Sequence, residues 1–468
     1  MKIIKILMLI LCILFIFTGC KFSPIPEVSV NYSSTSEADE SITSNADISE
    51  TESPKSTVSD INEESEESTP EESLPPKEEY DAMDYNYMKA MWISQFDMQS
   101  VYRNGSVQRD KASYSALVDT ILDNVVDNGY NTVIVQVRPY ADSFCNSSLY
   151  PPSDFITGSH SKEFTYDPFE IMIEKAHERN LSVHAWINPM RGMFKDQISS
   201  VDNKYIIKQW YNDTTKCGKY IVSVGSGSDA RWYLNPAYDE VCQLIADGAA
   251  EIAQRYNVDG IHMDDYFYPT KDTSFDSAAY AQYKKDSGTL SLEDYRRSMV
   301  NKMVKLIYTS VKSVSEDIPF GISPAGNFNY TYDDLFADAK TWCSEEGYID
   351  YLVPQIYFGL EHQNYDFVSV YETWEKLLTN ENIRYYIGIS LGKAKSGVDN
   401  YAGTGKNEWS EHKDVLKRCM EYLESKETCD GVVMFCYQYY YDPLSGVEVT
   451  ETMTERENMA PVFAVLGN

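Results

Sequence analysis

The sequence predicts an α/β protein built on a (β/α)8 barrel of the TIM type, preceded by a signal peptide and a disordered acidic linker. Two observations predict it. From residue 85 onward, eight short β-branched runs alternate with amphipathic segments, and the polar residues of those runs fall late, where barrel enzymes keep their sites. A chain of 468 residues is longer than one barrel requires, since about 250 residues suffice, so its ends need a separate account.

The first residues carry an address. Lys2 and Lys5 precede the apolar run Ile6 to Phe17, which is shorter than the roughly 20 residues of a bilayer-spanning helix and reads as a signal peptide over 1–20. Phe17-Thr18-Gly19-Cys20 resembles a bacterial lipobox with Phe17 where Leu is usual, which makes Cys20 the lipidated first residue of an extracytoplasmic protein anchored to the cell membrane. Residues 21–84 hold 18 acidic residues against three lysines, with abundant Ser, Thr and Pro. Such a segment cannot offset its ordering entropy by burial, so it is expected to be a disordered tether. The whole chain has a net charge of −32, which argues against nucleic acid as a partner. Of nine cysteines, Cys12 lies in the signal; excluding Cys20, the other seven form no Cys-x-x-Cys pair and are expected to be buried free thiols. No metal site and no cofactor are expected, and the oligomeric state is left open.

The predicted strands are Lys89 to Phe96, Thr132 to Arg138, Ser182 to Asn188, Gly260 to Asp264, Phe320 to Ser323, Tyr351 to Phe358, Tyr385 to Leu391 and Gly431 to Tyr437. Between them, Ser113 to Asn128 shows helical spacing of Leu117, Ile121 and Val125. Asp167-Pro168 and Asn235-Pro236 each read as a helix cap followed by a first-turn proline.

Side chains alternate along a strand, so parity sorts each run into a helix-facing and a lumen-facing set. Val133, Val135 and Val137 suit the helix layer, which leaves Gln136 and Arg138 for the lumen. The same rule sends His184, Trp186 and Asn188 inward, and in the fourth strand Gly260, His262 and Asp264. Gln136 and His184, deep in their strands, suit core hydrogen bonding better than substrate contact. A carboxylate at a strand tip is costly to bury for fold alone, so Asp264 is the leading functional candidate. Asp265 has the opposite parity and could instead cap the following loop. Aromatic residues gather at strand ends, among them Tyr266, Phe267, Tyr268, Tyr357, Phe358, Tyr437, Tyr439, Tyr440 and Tyr441, and aromatic faces stack on sugar rings.

The runs Gln136-Val137-Arg138-Pro139, His184 to Pro189 followed by Arg191, Asp259 to Tyr268, Phe320 to Gly326 and Pro354-Gln355-Ile356-Tyr357 resemble, in order, the glycosyl-hydrolase-like 10 family of extracytoplasmic barrel proteins. The resemblance covers nearly all of residues 88–440. It implies the barrel fold and glycoside hydrolysis; one member type cuts peptidoglycan glycan strands stripped of peptides. It supports Arg138, Asn188, Asp264, Asp265, Gln355 and Tyr357 as pocket residues, and Arg191, His262, Tyr266 and Trp92 join them as expected substrate contacts. The opening strand reads Lys89-Ala90-Met91-Trp92 where the family has Arg-Gly-Val-Trp. Asp259 to Asp264 also has the rhythm of the family 18 chitinase signature, but the catalytic Glu of that signature falls on Tyr266.

Glycoside hydrolysis normally takes two carboxyl groups, one donating a proton and one acting as base or nucleophile. Asp264 and Asp265 are the expected catalytic residues. Asp142, Glu361 and Asp442 are the other candidates for the second carboxyl, which would lie within about 10 Å of Asp264 across a cleft. The expected function is extracytoplasmic cleavage of a cell-wall polysaccharide, foremost peptidoglycan. A tethered glycan-binding protein without activity and an exopolysaccharide hydrolase are the alternatives.

Overall fold

The computed structural model describes residues 80–467. The signal, Cys20 and the tether up to residue 79 lie outside them. Eight parallel strands close into a barrel: β1 Met88–Ile93, β2 Thr132–Arg138, β3 Ser182–Ile187, β4 Gly260–Met263, β5 Phe320–Ile322, β6 Tyr351–Leu352, β7 Arg384–Ser390 and β8 Gly431–Phe435. Each strand pairs with its neighbours in sequence, and β8 closes the ring on β1. The principal helices between and after the strands are α1 Lys111–Asp127, α2 Pro168–His177, α3 Asp239–Arg255, α4 Leu292–Val314, α5 Ala339–Ser344, α6 Phe367–Glu375, α7 Val415–Glu424 and α8 Thr450–Val465.

Local chemistry sets the boundaries. Asp110 caps α1 by accepting from Ser113 N, and Asp167 caps α2 by accepting from Phe169 N and Glu170 N with Pro168 in the first turn. The alternation of β2 works as expected: Val133, Val135 and Val137 join the helix-facing core, while Ile134 packs in the lumen with Ala90, Trp92, Trp186, Tyr351 and Tyr386. Gly260 faces the same lumen, where a Cβ would stand 2.4 Å from the His184 ring, so that close approach requires glycine. All seven cysteines of the barrel are free thiols, Cys217 half-buried and the others buried.

Three predicted elements differ by three residues or more. β1 stops at Ile93 because Ser94 and Asp97 form a capping box that starts a helix, Gln95–Tyr102. β6 has only two residues; Pro354 has no N–H to give a ladder, and Gln355 makes only isolated bridges to Ala325 and Gly388. α3 starts at Asp239, four residues after the expected cap, because the Asn235 side chain accepts from Ala237 N at 3.1 Å and closes a separate turn.

Two further features frame the barrel. A three-stranded antiparallel sheet, Arg191–Phe194, Arg231–Leu234 and Ile221–Val224, fills the connection from β3 to α3. At the opposite end, the chain before β1 is fastened to the underside: Tyr80 Oη and Met83 N donate to Asp259 Oδ1 at 2.7 and 2.6 Å, and Arg384 donates to Asp84 at 2.6 Å. Contacts with the barrel therefore reach back to Tyr80, inside the stretch assigned to the tether.

Candidate active site

β4 ends at Met263, and Asp264 and Asp265 follow at the carboxyl-end mouth of the barrel. Asp264 is buried. Its Oδ2 accepts from Trp186 Nε1 at 3.0 Å and from Asn188 Nδ2 at 2.5 Å, and its Oδ1 accepts from Tyr266 N at 3.2 Å. Gln136 in turn donates to Asn188 Oδ1 at 2.8 Å and accepts from Gln95 N at 2.8 Å, so three elements lock the amide that holds Asp264.

Beneath this layer lies a neutral column. His262 is fully buried; Trp92 donates its indole N–H to His262 Nε2 at 3.3 Å, and Ser323 Oγ and Tyr351 Oη lie 3.0 and 3.2 Å from its two ring nitrogens. A nitrogen that accepts from an indole carries no proton, so the ring is the Nδ1–H tautomer. Burial pushes its pKa well below the ordinary histidine value, and His184 adds to that. The imidazole edge meets the Trp186 ring at 88°, which props the indole that donates to Asp264.

The two aspartates share one electrostatic environment. Burial raises the Asp264 carboxyl well above its ordinary value, and the charge of Asp265 raises it further, against the opposing hydrogen bonds from Tyr266 and Trp186 and the charge of Arg191. Asp265 is half-buried and also raised by burial, with Gln355 as a hydrogen-bonding side chain that opposes the rise. Its parity argument fails because the strand has already ended; the chain bends after Met263, and Asp265 turns toward Gln355 and Arg191 instead of the helix layer. Tyr357, half-buried, stacks on Phe435 at 5.8 Å, and its hydroxyl is raised by burial first and by both aspartates among its other neighbours. Arg191 lies 4.2 Å over the ring of Tyr266, which is 42% exposed, and 4.9 Å over that of Tyr140.

The structure thus gathers Asp264, Asp265, Asn188, Arg191, Tyr266, Gln355 and Tyr357 at one mouth. It does not bring Arg138 there. A β-bulge follows Gln136 in the pairing with β3, which turns Arg138 outward onto α3; it donates to Gly248 O at 3.0 Å and lies 3.9 Å over Tyr150. A Cβ at Gly248 would stand 2.6 Å from the guanidinium, so glycine makes the room. Trp92 and His262 are lumen core under the site rather than surfaces a substrate could touch. Phe267, Tyr268, Tyr437 and Tyr440 are likewise buried. Among the rival carboxyls, Glu361 faces His412 at 3.5 Å, Asp442 closes its own turn with Leu444 N and Ser445 N, and Asp142 sits in a buried loop cluster with Asp154 and His160. That cluster is the one group of possible metal ligands among the described residues.

Sequence reasoning did not single out Tyr140, Arg231 or the supporting role of Trp186. Trp186 was recoverable, since its parity matches Asn188. Tyr140 and Arg231 come from a loop and from the accessory sheet, where no period marks the inward face; Arg231 covers the Tyr140 ring at 4.4 Å.

Known proteins share this architecture. The model of the family described as glycosyl hydrolase-like 10 matches residues 87–403. The chain is 34% identical over 335 residues to the glycosyl hydrolase YngK of Bacillus subtilis, covering 67% of this chain and 62% of that one. It is 28% identical over 386 residues to the glycosyl hydrolase DigH of Escherichia coli K12, covering 76% and 84%. The chain thus spans about three fifths of the length of the Bacillus protein. Among solved structures, the glycoside hydrolase domain of PgaB (BpsB) from Bordetella bronchiseptica superposes with a TM-score of 0.52 at 12% identity, over 80% of this chain and 99% of that one. The catalytic domain of β-amylase from Paenibacillus polymyxa gives 0.51 at 8%, over 80% and 98%. At such low identities these two show the barrel fold.

Proposed function

The chain belongs to the glycosyl hydrolase-like 10 family, and from that premise we propose that it hydrolyses a cell-wall glycan outside the cytoplasm, with peptidoglycan glycan strands as substrate. The observation that carries the reading is the pair Asp264 and Asp265 at the barrel mouth, one carboxyl fully desolvated and pushed up by the other.

In this mechanism Asp264 is the general acid. Its Oδ2 accepts two hydrogen bonds and its Oδ1 only the longer one from Tyr266 N, so the proton sits on Oδ1 and passes to the leaving glycosidic oxygen as the bond breaks. Water then adds to the anomeric carbon and its proton returns to Asp264. Asp265 supplies the negative charge that faces the oxocarbenium-like transition state. Tyr266 and Tyr357 offer ring faces for the sugars, and Arg191 and Gln355 orient the acidic pair. The address is argued from sequence: the lipobox-like Phe17 to Cys20 and the acidic tether suit a protein that works at the wall. Cys20→Ser should release the protein from the membrane fraction or leave it as unprocessed precursor; unchanged processing and membrane association would refute the lipid anchor.

The test of substrate is release of reducing ends from purified peptidoglycan glycan strands, with and without stem peptides, beside a neutral exopolysaccharide. Cleavage of the stripped strands supports the reading. Cleavage of the exopolysaccharide alone would overturn the choice of polymer, and binding without any cleavage would make the barrel a glycan-binding module.

A further inference from the structure

The connection from β2 to α2 gathers Asp142, Asp154 and His160 so that one ligand atom of each lies within 4.8 Å of the others. Neighbouring backbone and side-chain groups fix the orientation of all three side chains. His160 Nδ1 lies 3.0 Å from Pro152 O, a contact that requires the ring to donate from Nδ1, so that in the neutral ring Nε2 offers its lone pair. Asp154 has Oδ2 held by Gln197 Nε2 at 2.7 Å, and Asp142 has Oδ1 held by Tyr140 N at 3.2 Å. One oxygen of each carboxylate is thus held by the protein, and the Ser153 side chain is a further hydrogen-bonding neighbour of Asp142.

The unoccupied atoms make the argument. Asp142 is 0% and His160 2% exposed, yet Asp142 Oδ2 and His160 Nε2 have no hydrogen-bond partner. Buried polar atoms are almost always paired, and leaving one unpaired costs about 1–3 kcal/mol. Direct pairing does not relieve them, because His160 Nε2 stands 3.9 Å from Asp154 Oδ1, too far for a hydrogen bond. That separation suits two donors facing a common third centre. Donors of a tetrahedral site at bond lengths of about 2.0–2.2 Å stand roughly 3.3–3.5 Å apart, so the His160–Asp154 pair would close by about half an ångström and a pair at the 4.8 Å bound by about 1.4 Å. Asp154, with its side chain 27% exposed, has the freedom to move.

We propose that Asp142, Asp154 and His160 bind one divalent transition-metal ion, zinc by the donor set, which staples the β2–α2 connection beside the mouth. Calcium and magnesium take oxygen ligands, whereas an imidazole with two carboxylates suits zinc or a neighbouring first-row metal. Three protein ligands leave a fourth position for water. The staple would bear on the mouth through Tyr140, two residues before Asp142, whose ring lies between Arg191 and Arg231. The proposal does not depend on the hydrolytic reading, since metal uptake is measured without substrate.

The full chain, stripped with chelator and dialysed, is titrated with Zn2+ by calorimetry and with Co2+ by visible absorption. The expected result is one ion per chain, a Co2+ ligand-field spectrum of low coordination number, and a rise in unfolding temperature on Zn2+ addition. His160→Gln and Asp142→Asn should weaken Zn2+ binding at least tenfold. Asp154→Asn, at a partly exposed position, gives the same readout should the buried variants fold poorly. Absence of stoichiometric uptake would overturn the proposal and leave a bridging water as the occupant, and so would uptake unchanged in Asp154→Asn.

Discussion

The two ends of β4 carry buried aspartates with opposite surroundings. Asp259, just before the strand, receives four hydrogen bonds: Tyr80 Oη at 2.7 Å, Met83 N at 2.6 Å, Val183 N at 2.7 Å and His177 Nε2 at 2.9 Å. Asp264, just after it, receives three, and stands beside a second acid that pushes its carboxyl up. A carboxylate that is fully paired, on the underside, fastens an incoming segment to the barrel. A carboxyl that is desolvated and crowded by a like charge, at the mouth, is pushed toward its protonated form. The same residue type on one strand therefore separates into architecture and chemistry according to what surrounds it.

The comparison breaks most readily at the mouth. Asp264→Asn should lower turnover of glycan strands by about 10² to 10⁴, the range for loss of a general acid. The sign for stability is opposite. A carboxyl whose pKa is raised on folding contributes least when ionised, its cost appearing as pH rises from the unfolded value of about 3.9 through the higher folded one, so the Asn variant should be as stable as wild type or more so at neutral pH. Near-normal turnover in Asp264→Asn would remove the chemical half of the comparison.

At the underside the expected pattern reverses. Asp259→Ala strands buried donors and should cost about 3 kcal/mol in a denaturant titration while leaving kcat within about twofold. A large fall in kcat with unchanged stability would contradict the division. The smallest effect belongs to the segment itself: a chain beginning at Tyr80 should unfold with full-length stability, and one beginning at Met88 should lose about 1–2 kcal/mol through the contacts of Tyr80, Met83 and Asp84. Equal stability of the two shortened chains would mean that the segment merely rests on the barrel.

Much of this was legible in sequence because barrel strands impose period two. The inward set Gln136, His184, Trp186, Asn188, His262 and Asp264 followed from alternation alone, and so did the outward valines of β2. Alternation failed where the ladder stops being regular. A bulge after Gln136 turned Arg138 onto α3, the early end of β4 brought Asp265 into the mouth, and Pro354 cut β6 to two residues. The aromatic strand ends overstated the sugar platform, since burial in the core claims Phe267, Tyr268, Tyr437 and Tyr440 as much as stacking does. Asp142 stood out only as a candidate second carboxyl, and nothing in the sequence grouped it with Asp154 and His160, which are spread over a loop whose course no period describes.

The central claim is that Asp264 keeps its proton because burial and Asp265 act together. The infrared difference between wild type and Asp264→Asn, followed through a pH titration, isolates the C=O stretch of that one protonated carboxyl. The account predicts a band that persists above the ordinary aspartate value of about 3.9 and titrates at lower pH in Asp265→Asn once the like charge is gone. A band lost near the ordinary value of about 4, or one whose titration Asp265→Asn leaves unmoved, would contradict it.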